Sequence, residues 1–162
     1  MLGRLSRILV VDGDAVSRNT THKSLHTLGY TMVDYAPDGR TALRLIGQSN
    51  YRLVLADWDM GPIDGQELLK QTRSDRRLRH LPFLMAIDRW QKKFIEIVRD
   101  DGATLYLTKP FTTEVLGERM IQVADDADRL IKASRAPMAT APTGPAPNAA
   151  ASKLWQYLRT DP

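Results

Sequence analysis

The sequence predicts an α/β fold: an open, doubly wound, five-stranded parallel sheet with helices on both faces. Two observations predict it. Five apolar runs of strand length alternate along the chain with stretches of helical periodicity. Carboxylates or a lysine stand directly after several of these runs, where an open α/β sheet collects its chemistry. Repeated strand–helix alternation implies right-handed crossovers and a helix layer on each side.

The first run is Ile8-Leu9-Val10-Val11. A helix follows from Asp14 to about Leu28, closed by Gly29, a residue suited to a helix C-terminus. The second run, Met32-Val33-Asp34-Tyr35-Ala36, leads to a helix over 39–48. The third, Leu53-Val54-Leu55-Ala56, leads to a helix over 65–74. The fourth, Phe83-Leu84-Met85-Ala86-Ile87, precedes a helix starting near Arg89, with Trp90, Phe94, Ile97 and Val98 on one face. The fifth, Thr104-Leu105-Tyr106-Leu107, precedes a longer helix after Thr112 that reaches Ala133 and carries Val115, Leu116, Met120, Val123, Leu130 and Ile131. The first, third and fourth runs are almost wholly apolar, which suits central strands covered on both faces.

These elements make one domain over 1–134 of the 162 residues. The next stretch, 135–152, reads RAPMATAPTGPAPNAAAS, too poor in large apolar residues to order itself, and is expected to be a disordered linker. Residues 153–162 form a short amphipathic tail with Leu154, Trp155, Tyr157 and Leu158. That tail has three readings: docking on its own domain, a helical motif for another protein, or unstructured sequence. The absence of cysteine excludes disulfides and thiolate chemistry. The start of the chain has no apolar signal-peptide core, and no run approaches the ~18 apolar residues of a membrane span. A cytoplasmic protein without membrane insertion is expected. The net charge of +4 is only mildly basic, and nothing after residue 134 supplies a helix-turn-helix module, so no DNA partner is expected.

The residues after the strands set the chemistry. Asp12-Gly13-Asp14 follow the first strand, Asp57-Trp58-Asp59 the third, Asp88 the fourth, and Lys109-Pro110-Phe111 the fifth. Clustered carboxylates call for a hard cation, and Mg²⁺ prefers oxygen ligands and retained waters. A carboxylate is also a nucleophile toward phosphorus, and a lysine opposite it supplies a point charge for a phosphoryl oxygen.

This arrangement resembles the two-component response-regulator receiver (CheY-like) family over residues 7–123. The pieces that carry the resemblance are Ile8 to Asp12, Ala36-Pro37-Asp38-Gly39 with Ala42-Leu43, Asp57-Trp58-Asp59-Met60, Ile63-Asp64-Gly65, Leu81-Pro82, and Gly102-Ala103 with Tyr106 and Lys109-Pro110-Phe111. The resemblance implies a flavodoxin-like receiver fold with strand order 2-1-3-4-5. It implies Asp57 as phosphoryl acceptor and Lys109 as its phosphoryl-contacting partner. Asp12, Asp57 and the backbone carbonyl of Asp59 would hold Mg²⁺, and the Lys109–Pro110 bond would be cis. It gives position 87 and Tyr106 the part of a switch. It places the partner face on the fourth helix, fifth strand and fifth helix, where Trp90, Phe94 and Tyr106 stand, with Trp155 of the tail as a further contact. The implied partners are a histidine kinase or phosphotransfer protein and a downstream protein target, with a homodimer through the same face as an option. Signalling rather than enzymatic turnover is the implied activity.

The sequence departs from the family pattern at three places. Gly13 stands where a second acid usually binds Mg²⁺, so metal affinity should be weakened; Asp14 beside it is either the cap of the first helix or a substitute ligand. Ile87 stands where a hydroxyl usually contacts the phosphoryl group. Asp88 is either a helix cap or a charge that repels a phosphoryl donor. A phosphorylation-independent adaptor, a pseudo-receiver on the same fold, is therefore the alternative function. A remoter one is a haloacid-dehalogenase-like phosphatase with Asp12 as nucleophile and Asp14 as acid–base. The histidines show no common metal site, and His22 and His26 read as a surface pair. Arg73, Arg76, Arg77 and Arg79 read as a solvated helix end, or as a contact for a phosphate-bearing ligand or an acidic protein.

Overall fold

The computed structural model describes residue 3 and residues 5–135. The elements run β1 (Ile8–Val11), α1 (Ala15–Thr27), β2 (Val33–Ala36), α2 (Gly39–Gln48), β3 (Leu53–Asp57), α3 (Gly65–Ser74), β4 (Phe83–Asp88), a 3₁₀ helix (Arg89–Phe94) leading into α4 (Ile95–Asp100), β5 (Leu105–Lys109) and α5 (Thr113–Arg135). All strand pairs are parallel and the order is β2-β1-β3-β4-β5, as the resemblance implies. Apart from Arg135, which closes α5, the expected linker and the tail with Trp155 lie outside the described residues.

Alternation of side chains along each strand divides the core into two layers. Ile8, Val10, Leu53, Leu55, Leu84, Ala86 and Leu107 pack with Leu25 of α1 and Leu116, Met120 and Val123 of α5. Leu9, Val11, Val54, Ala56, Phe83, Met85 and Ile87 pack with α2, α3 and α4 through Ile46, Leu68, Leu69 and Val98. Truncating a fully buried leucine such as Leu68 or Leu116 to alanine costs about 2–5 kcal/mol.

Aspartates start three of the helices. The Asp14 side chain accepts from Ser17 N–H, Asp38 from Thr41 N–H and Asp64 from Glu67 N–H, each satisfying a donor that the helix leaves open. Two glycines admit close approach. A Cβ on Gly65 would run into the Asp57 carbonyl, and one on Gly39 would stand 2.6 Å from Ile63. Glycine at these two places lets α3 begin hard against the end of β3 and α2 against the loop that follows it.

Three expectations need correction. β3, β4 and β5 extend one or two residues beyond their apolar runs, so Asp57, Asp88 and Lys109 are strand-terminal residues, not loop residues. The fourth helix does not start as an α-helix: Arg89–Phe94 is 3₁₀, with three residues per turn. That winding breaks the expected single face. Trp90 is 69% exposed, Ile97 40% exposed and Val98 buried.

Candidate functional site

Asp12, at the end of β1, is 4% exposed and held from three sides. Its Oδ1 accepts from Asp14 N–H at 2.8 Å, and its Oδ2 accepts from Ser17 Oγ at 2.6 Å and from Lys109 Nζ at 3.2 Å. Its carbonyl accepts from Arg18 at 2.6 Å. Lys109 also reaches Asp57 Oδ2 at 2.8 Å, so one ammonium bridges the carboxylates of β1 and β3. The register explains the meeting. Asp57 pairs with Ala86, and Asp88 with Lys109, so the ends of β3, β4 and β5 lie side by side.

The electrostatics are those of a crowded pocket. Burial pushes the Asp57 carboxyl pKa above its ordinary 3.8; the Lys109 hydrogen bond and charge pull it down, and Asp12 and Asp88 push it up again. For Lys109, burial works against the ammonium, but the hydrogen bonds and charges of Asp57 and Asp12 outweigh it and raise its pKa. Among the described residues, Asp57 Oδ1 is buried with no hydrogen-bond partner. A buried oxygen of this kind is costly unless a ligand completes it.

That orphaned oxygen tests the implied metal. The two carboxylates, with the backbone carbonyl that the resemblance assigns to Asp59, would make a hard-oxygen set suited to Mg²⁺ with several waters kept. The set is thin: among the described residues no three acidic or histidine side chains cluster for a metal. Gly13 brings no side chain, although a Cβ there would meet only the Pro37 carbonyl, at an ordinary 3.7 Å. Asp59 follows on the exposed side of the loop, so its part would rest on its carbonyl. Asp14 caps α1 through its carboxylate, which takes it out of the metal set and out of the acid–base part that the phosphatase reading gave it.

The switch positions are brought near the pocket but not into it. Ile87 is 1% exposed and belongs to the α2–α3–α4 core layer, while Asp57, Asp12 and Lys109 alternate onto the other face. Tyr106 is half-buried against the Ile87 layer, with the Arg119 guanidinium 5.9 Å from its ring centroid. Asp88 starts the 3₁₀ helix. Its N–H donates to Oε1 of buried Gln91 at 3.1 Å, the return half of a capping box. Sequence reasoning missed one contact. Trp58, the neighbour of Asp57, stacks on Phe94 with ring centroids 5.4 Å apart and planes 14° from parallel. No spacing rule joins residues on different elements, so only the fold reveals that pair. The Lys109–Pro110 bond is cis, as the resemblance implies.

The comparisons with known proteins agree with this geometry. The response regulator receiver domain profile matches residues 8–121. The chain belongs to the response regulator receiver family. Among relatives of this receiver, the chemotaxis protein CheY of Pseudomonas aeruginosa is 35% identical over 117 residues, 72% of this chain and 94% of that protein. CheY-3 of Vibrio cholerae serotype O1 is 32% identical over 123 residues, 76% of this chain and 95% of that protein. The solved structure of the chemotaxis response regulator CheY4 of Vibrio cholerae superimposes with a TM-score of 0.68 at 28% identity, covering 74% of this receiver and 98% of that chain. No helix among the described residues is long and apolar enough to cross a membrane.

Proposed function

We propose that this receiver accepts a phosphoryl group on Asp57 and passes the change to a protein partner through the 3₁₀ helix, α4, β5 and α5. The observation that carries the reading is the Asp57 carboxylate itself: one oxygen bound to Lys109 at 2.8 Å, the other buried without a partner among the described residues. An Asp57 oxygen forms the new O–P bond as the P–N or P–O bond of the donor breaks, and the electron pair leaves with the donor. Lys109 holds a phosphoryl oxygen as charge develops, and Asp12 keeps Lys109 in place. Mg²⁺, held by Asp12, Asp57 and the Asp59 carbonyl, would supply charge neutralisation, with Gly13 lowering its affinity. A histidine kinase or phosphotransfer protein is the donor this chemistry suits, in the cytoplasm, and the output is contact with a downstream protein rather than turnover.

With no hydroxyl at Ile87, the stack of Trp58 on Phe94 is the link from the acceptor to the fourth helix. Phosphorylation at Asp57 shifts Trp58, and the shift reaches Phe94 at the junction of the 3₁₀ helix and α4. A phosphorylation-independent adaptor is the second reading, favoured by the burial of Ile87 and the absent acid at Gly13. Incubation with Mg²⁺ and acetyl phosphate, read by intact mass, separates the two. A single phosphoryl adduct that disappears in Asp57→Asn supports the acceptor. No adduct on the folded protein, with partner binding unchanged in Asp57→Asn, supports the adaptor.

A further inference from the structure

At the opposite end of the sheet, where β4 and β5 begin, a second charged cluster surrounds a cavity of about 380 Å³. Arg73 at the end of α3, Arg79 and His80 before β4, Thr104 before β5, and Asp126 and Arg129 of α5 line it. The strand β4 spans six residues, so this cavity lies about 17 Å from the acceptor end at the rise of a parallel strand. The phosphoryl chemistry uses none of these side chains.

Arg73 is the fixed point. Its Nε donates to the Gly102 carbonyl at 2.8 Å, and its Nη1 donates to the Leu81 carbonyl at 2.9 Å. The guanidinium carbon lies 5.9 Å from the Phe83 ring centroid. All three partners are neutral, and among the described residues no carboxylate pairs with this group. Burial pushes its pKa down to about 10. A partly buried cation with no counter-ion among the described residues is unfavourable, and an anion would offset that cost.

Tying α3 to the entries of β4 and β5 accounts for the two carbonyl bonds. It does not account for two further arginines at the same cavity, where like charges add to the cost. Arg79 donates through Nε to His80 at 3.0 Å, which leaves its terminal nitrogens to a ligand. Arg129 is 79% exposed and only loosely paired with Asp126, at 3.4 Å. Thr104 Oγ1 accepts from Phe83 N–H at 3.0 Å, which leaves its hydroxyl proton to donate. Among the described residues, three guanidinium groups and a hydroxyl thus line the cavity with one carboxylate. Planar guanidinium forks match phosphate oxygens. The volume falls at the small end of the roughly 300–1,000 Å³ typical of small-molecule sites.

We propose that this cavity binds a small phosphate-bearing anion of about nucleotide size. Arg73 is its preorganised floor, Arg79 and Arg129 close on it from outside, and Asp126 accepts from a hydroxyl or amino group of the remainder. The test titrates the full chain with inorganic pyrophosphate and with ADP, without Mg²⁺ and at low salt, read by amide NMR shifts and calorimetry. Saturable shifts at Gly102, Ala103 and Thr104 are expected, and they persist in Asp57→Asn. Arg79→Ala and Arg129→Ala each weaken binding on the order of tenfold, without changing the melting temperature. ADP binding tighter than pyrophosphate assigns the nucleoside to the Asp126 side, and equal affinity assigns the phosphates alone; both uphold the site. Shifts confined to the Asp57 end, no saturation at millimolar probe, unchanged affinity in both variants, or preference for a glutamate-rich peptide would each overturn it.

Discussion

On the α1 and α5 side of the pocket, the Lys109 ammonium lies 3.2 Å from Asp12 and 2.8 Å from Asp57, backed by Ser17 and the α1 cap. On the α4 side, the position that would supply a hydroxyl is Ile87, sealed into the core, and Trp58, the chain neighbour of Asp57, stacks on Phe94. One side gathers the charged groups that the proposed acceptor would use; the other packs apolar side chains where a polar contact would be expected. The difference teaches that acceptance and readout are separable. On the proposed function, charges fixed at strand ends would serve the first, and side-chain packing between elements the second.

That comparison breaks most readily at Ile87. Ile87→Thr buries a hydroxyl in the α4-side core and should lower stability by about 2 kcal/mol in denaturant unfolding. The yield of phosphoryl adduct should be unchanged. A higher yield would mean that position 87 faces the phosphoryl group after all. The acceptor side is sharpened by Gly13→Asp. The backbone there has space for a side chain, and a third carboxylate should tighten Mg²⁺ on the order of tenfold in a calorimetric titration. Phe94→Leu removes the ring stack and should cost about 1 kcal/mol, with the adduct yield again unchanged.

The smallest effect is in pH. The folded chain holds the Asp57 proton to a higher pH than the ordinary 3.8. The stability this group contributes is full below that value and is lost as pH rises through the raised pKa. Asp57→Asn removes that loss. Without Mg²⁺ the variant should melt a few degrees above the wild type at pH 7, and the gap should close as the pH falls below 3.8.

The acceptor side was legible in the sequence because strand ends are. Apolar runs mark the ends of β1, β3 and β5 to within two residues, and a charged residue stands within two residues of each run, so Asp12, Asp57 and Lys109 could be named before any fold was seen. Asp14 as a cap was legible for the same local reason. The α4 side was not. An α-helix from Arg89 would have set Trp90 with Phe94 and Val98; the 3₁₀ turn leaves Trp90 in water and puts Phe94 on Trp58. The stack joins residues 36 apart, and periodicity carries no information at that range. Arg73 shows the same limit. It read as part of a solvated helix end, and only the fold brings Leu81 and Gly102 round it.

The most direct measurement is the NMR response to beryllofluoride with Mg²⁺, a stable mimic of the aspartyl phosphate, in the wild type and in Phe94→Leu. The wild type should show shifts at the Trp58 indole and along 94–100. In Phe94→Leu the Trp58 shift should persist while those of 94–100 collapse. Shifts along 94–100 that survive the loss of the ring would contradict the account and return the readout to Tyr106 and position 87.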